Sequence, residues 1–74
     1  MEDLDLNQPA IVFWMHDPGE ITRFDRLEDA VHSVMVKPSA KLFSIAWIKA
    51  GDRHIEMEEI RQIERRSILS RYLG

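Results

Sequence analysis

The most informative stretch of the chain is residues 41–57, which read KLFSIAWIKAGDRHIEM. Residues 41–50 are rich in β-branched and aromatic types, which predicts a long strand, and residues 53–57 are predicted to return beside it. Gly51 and Asp52 between them suit a tight two-residue turn. If residues 50 and 53 flank that turn, residue 49 lies opposite 54, 48 opposite 55, 47 opposite 56 and 46 opposite 57.

This predicted hairpin has two unlike faces, because side chains alternate along a strand. The first is apolar with small residues in its middle and is a suitable seat for a helix; it comprises Leu42, Ser44, Ala46, Ile48, Ile55 and Met57. The second mixes aromatic and charged side chains and comprises Phe43, Ile45, Trp47, Lys49, His54 and Glu56. The second face therefore becomes the main candidate for function.

A second hairpin is predicted upstream. Residues 10–15 read AIVFWM, a short apolar run typical of a strand, and residues 21–24 can return beside it. Pro18 and Gly19 suit the central positions of a type II turn between them. Either Phe13 or Trp14 must then share the face that carries Trp47.

Two helices complete the pattern. Asp25 is predicted to cap the first, with Glu28 three residues on as in a capping box. Its apolar stripe is formed by Leu27, Ala30, Val31, Val34 and Met35. The second helix is predicted over residues 58–66, and the apolar residues after it do not continue its Ile60 and Ile63 face. It therefore either breaks near Ser67 or buries a different face there.

The predicted fold is α+β, with a small, mostly antiparallel four-stranded sheet and two helices in the order ββαββα. The first helix packs on one sheet face, and the second on the opposite face or at an edge. The alternative order is βαββα, with residues 20–24 as a loop. An acidic N-terminal arm, residues 1–9, precedes a single domain over residues 10–74.

Composition narrows the possible functions. The 74-residue chain has no cysteine, which excludes disulfides and thiolate zinc sites. Residues 1–36 carry eight acids and two bases (net −6), and residues 37–74 carry five acids and eight bases (net +3), which together give −3. An acidic start and the lack of a long apolar run indicate a cytoplasmic protein.

The sequence contains no recognisable chemical motif. The three histidines lack metal-ligand spacing, and Lys49 opposite His54 disfavours a divalent cation. No serine stands in a nucleophile context, and the glycines are isolated. We therefore expect no metal, no cofactor, no catalytic residue and no enzymatic activity.

Protein association is the function that the residue types favour, since aromatic residues and arginine are enriched at interface hot spots. We expect a homodimer, or a complex with a small protein, with Phe43, Ile45, Trp47, Leu69 and Tyr72 as apolar anchors and Arg65 and Arg66 at the rim. In the competing structural interpretation, the second helix covers these aromatic residues. The alternative function is a nucleic-acid-binding regulator that uses Arg61, Arg65, Arg66 and Arg71.

Overall fold

A computed structural model of the chain describes residues 5–15 and 19–73, with side chains up to residue 66. In order, its elements are β1 (Ala10–Trp14), β2 (Ile21–Phe24), α1 (Leu27–Met35), a 3₁₀ helix (Pro38–Lys41), β3 (Ala46–Ala50), β4 (Arg53–Ile55) and α2 (Met57–Leu73). The predicted α+β fold with the order ββαββα is confirmed. The alternative βαββα is wrong, because residues 21–24 pair with β1 along their whole length.

The described strands form one antiparallel sheet in the order β2-β1-β3-β4. The predicted register of the second hairpin is confirmed by the pairs Lys49↔His54 and Ile48↔Ile55. The pairs predicted beyond them do not form, because β4 ends at Ile55 and α2 begins two residues later. Gly51 occupies the first turn position with φ +62, as a type II′ turn requires.

Both helices pack on the same side of the sheet. The buried strand residues all belong to one face and are Ala10, Val12, Ala46, Ile48, Ala50 and Ile55. The helices bury Leu27, Ala30, Val31 and Val34 from α1, and Met57, Ile60 and Ile63 from α2, in the same core. The helices also contact each other. Placing the second helix on the opposite face is therefore wrong.

The segment before β3 is not the strand that its composition predicts. Pro38 opens a 3₁₀ helix, and the backbone N–H groups of Leu42 and Phe43 both donate to the carbonyl of Ser39. Proline is well suited to the first helical position, since its φ is fixed and it needs no hydrogen-bond acceptor there. As a result β3 begins only at Ala46, five residues later than predicted.

The start of α1 is capped by residues distant in sequence. Asp25 does not cap it: the N-cap residue is Arg26, and no side-chain capping hydrogen bond is present among the described residues. Instead, the N–H of Leu27 donates to the carbonyl of Gln8 at 2.7 Å, and the N–H of Glu28 donates to the carbonyl of Leu6 at 3.0 Å. Because these N–H groups have no partner within the helix, the arm supplies what a capping side chain would.

The second helix does not break near Ser67, since its backbone is continuous to Leu73. Residues 67–73 lie beyond the described side chains. The predicted change of buried face falls on those residues and so lies outside the described side chains. The Pro18–Gly19 turn also extends outside the described residues.

Candidate functional site

The sheet face opposite the helices is not covered by any of the described elements. We call it the open face; its strand residues are Ile11, Phe13, Ile21, Arg23, Trp47, Lys49 and His54. None of these seven is buried within the described part of the chain, whereas the buried strand residues all lie on the other face. The open face is therefore the candidate functional site.

Three rings form a continuous stack across the open face. The centroids of Phe13 and Trp47 are 4.2 Å apart with planes 5° from parallel. On the other side of the indole, the Trp47 and His54 rings are 4.1 Å apart with planes 19° from parallel. Both flat sides of Trp47 are therefore already covered by neighbouring strands, which explains why it is only partly exposed without any helix above it.

The open face is also cationic. Neither aspartate nor glutamate occurs within the described strands, while Arg23 and Lys49 both lie on this face. By the strand register, Arg23, Ile11, Lys49 and His54 form one row across all four strands. The chain has a net charge of −3, so this basic surface contrasts with the protein as a whole.

Four large apolar side chains are exposed near the end of the sheet where β1 ends and β3 begins. Met15 is 59 % exposed and Ile21 64 %, and in the segment leading into β3 Leu42 is 81 % and Phe43 63 % exposed. The two segments are adjacent, since the N–H of Met15 donates to the carbonyl of Ile45 at 2.9 Å. We call Met15, Ile21, Leu42 and Phe43 the apolar end.

The structure separates the apolar residues that the sequence places on one face. Trp47 lies on the open face, but Phe43 lies in the exposed segment before β3. Ile45 packs against the core instead. Leu69 and Tyr72 belong to α2, where side chains are outside the described set.

Arg61 has a structural role that reduces its availability for nucleic acid. Its Nε donates to the carbonyl of Ala40 at 2.9 Å, and its Nη2 donates to the carbonyl of Phe43 at 3.0 Å. The planar guanidinium group thus holds α2 to the segment before β3. Arg65 and Arg66 are exposed, and the side chain of Arg71 is beyond the described ones.

One residue of β1 joins the ring stack, and the sequence leaves open whether it is Phe13 or Trp14. Phe13 faces the stack, whereas Trp14 packs against the core and donates from Nε1 to Thr22 Oγ1 at 3.0 Å. The signal that decides between them is the register between β1 and β3, which pairs Phe13 directly with Trp47. Such pairing joins residues far apart in sequence, so no local pattern reveals it.

The described residues offer little else that resembles a site. Over residues 5–15 and 19–66, no group of three or more His, Asp or Glu side chains is arranged to hold a metal ion. None of the described helices has the length and apolar character needed to cross a bilayer. No family model, curated protein or solved structure matches the chain. What the chain does must therefore be inferred from its own residues.

Proposed function

We propose that the protein is a small, non-enzymatic interaction protein that forms a homodimer through the apolar end. The observation that carries this proposal is the exposure of four large apolar side chains at that end of the sheet: Met15 directly after β1, Ile21 at the start of β2, and Leu42 and Phe43 in the segment before β3. Clustered exposed apolar residues on a soluble domain mark interaction sites more often than scattered ones do.

The size of the chain supports the same proposal. A domain of 74 residues without disulfides has a small core, and additional burial from a second copy stabilises such domains. Phe43 offers the most useful anchor because its ring is 63 % exposed and aromatic side chains are frequent interface hot spots. Trp47 contributes less new area, since both sides of its indole are already stacked.

The test is solution mass by size-exclusion chromatography with light scattering, on the wild type and three charge variants. Phe43→Glu and Ile21→Glu place a carboxylate in the apolar end, and Val36→Glu places one at an equally exposed apolar position on the helix side, at the end of α1. We expect a wild-type dimer, monomers for the first two variants, and a dimer for Val36→Glu.

Circular dichroism on each variant checks that the fold is retained. A wild-type monomer over the accessible concentration range would contradict the proposal. A dimer that resists both charges in the apolar end, or that is lost equally in Val36→Glu, would place the self-interface elsewhere.

A further inference from the structure

The end of the open face near the β3–β4 turn differs from the apolar end. Lys49 and His54 pair there across the hairpin, one residue from the turn-flanking pair Ala50↔Arg53. The apolar end lies at the opposite end of β3, since Phe43 precedes its first residue. The two ends can therefore bind different molecules.

The ring stack has a free flat side only at its ends. Trp47 lies between the other two rings, and the outer side of Phe13 is directed toward β2, where Ile21 is its partner. His54 is exposed and belongs to the edge strand β4, with no described strand beyond it. A planar ligand can therefore extend the stack at His54.

We propose that this end of the open face binds single-stranded nucleic acid, with a base stacked on His54 and phosphates contacting Lys49 and Arg23. Stacking of bases on exposed rings, together with Lys or Arg on the backbone, is how sheet surfaces bind single strands. Duplexes fit poorly, because their bases are already stacked on each other. The strands add no acidic side chain that would repel the phosphates.

Two carboxylates limit the affinity of this surface for nucleic acid. Asp52 and Glu56 are exposed and lie two residues before and after His54 in the chain. They repel a polyanion at the short range over which charges act in physiological salt. The double variant Asp52→Asn, Glu56→Gln should therefore bind more tightly than the wild type.

Fluorescence anisotropy with a labelled eight-nucleotide oligothymidine and oligouridine, against a duplex of the same length, tests the proposal at low salt. We expect tighter binding of the single strands than of the duplex. His54→Leu, which removes the stacking ring but keeps Trp47 covered, should weaken binding about 10-fold, while His54→Phe should preserve it. Lys49→Gln should weaken binding and lower the salt slope by about one.

The matched control is the double variant Arg65→Gln, Arg66→Gln, which removes the exposed arginines of α2 and should bind as the wild type does. Absence of single-strand binding by folded wild type at low salt would overturn the proposal. So would equal affinity for duplex, or a loss of binding confined to the α2 variant.

This inference does not depend on self-association. Phe43→Glu should leave oligonucleotide binding unchanged in the anisotropy assay. His54→Leu should leave the dimer intact in the light-scattering assay. A monomeric wild type that binds oligothymidine contradicts only the homodimer, and a dimer that binds neither oligonucleotide contradicts only the nucleic-acid site.

Discussion

Two isoleucines on opposite faces of the sheet should respond very differently to the same substitution. Ile48 is fully buried beneath the helices, and Ile21 is 64 % exposed on the open face. Changing Ile48 to alanine removes three carbons, worth about 0.8 kcal/mol each, or about 2.4 kcal/mol of transfer free energy. The cavity left in the core raises the expected loss to about 2–5 kcal/mol.

The same change at Ile21 should cost under about 1 kcal/mol. Only about a third of the side chain is covered, so about a third of the transfer term is lost, and no cavity forms at an exposed position. A domain of this length has an unfolding free energy of roughly 4–11 kcal/mol, so the Ile21 variant should remain folded, while the Ile48 variant should unfold at a much lower urea concentration or already in its absence.

Urea denaturation followed by tryptophan fluorescence gives the two free energies of unfolding. It should be run at two protein concentrations, because a dimer makes apparent stability depend on concentration. A loss at Ile21 that equals the loss at Ile48 at both concentrations would refute the one-sided arrangement of the helices. A loss at Ile21 that grows with protein concentration would instead indicate a self-interface over that residue.

Two further substitutions test contacts that hold the chain around the site. Arg61→Lys keeps the charge but loses the planar group that donates to two carbonyls. It should therefore lower the free energy of unfolding, measured in urea, by about 1–3 kcal/mol. The same change at exposed Arg65 should lower it by under about 0.5 kcal/mol. Gly51→Ala should cost about 1–2 kcal/mol by thermal denaturation because φ is +62 there, and the added Cβ meets Gln8 Oε1 only at an ordinary 3.5 Å. Asp52→Ala, at a turn position without positive φ, is the control and should change stability little. Equal losses of stability for Arg61→Lys and Arg65→Lys, or for Gly51→Ala and Asp52→Ala, would contradict the reasoning.

The periodic features of the sequence predict most of the elements. Alternation and the two-residue turn at Gly51 are enough to place Lys49 opposite His54, and the three-and-four spacing from Leu27 to Val34 is enough for α1. These signals are local, because each depends on residues within about one turn or one strand pair of each other. The same reasoning holds for the first hairpin, where β2 forms as predicted.

The predictions from sequence are wrong where distant residues decide the local conformation. Arg61 bonds the carbonyls of Ala40 and Phe43, 21 and 18 residues away, in a segment whose composition otherwise favours a strand. Likewise the first turn of α1 is capped by carbonyls of residues 6 and 8 rather than by Asp25. Backbone acceptors carry no residue-type signal, so neither contact is visible in a single sequence.

The choice of face for the two helices follows from which side chains each face carries. The covered face has alanines at positions 10, 46 and 50, which leave room for Ile60 and its helical neighbours to fill the core. The open face carries Arg23 and Lys49, and a helix laid over it would bury two cations with no acid on any described strand to pair them. Burying an unpaired charge costs several kcal/mol, more than the burial of one large apolar side chain gains. A molecule that binds the open face must therefore leave these two cations in water or supply anions to them, which favours contact at the apolar end for a second copy and phosphates near Lys49.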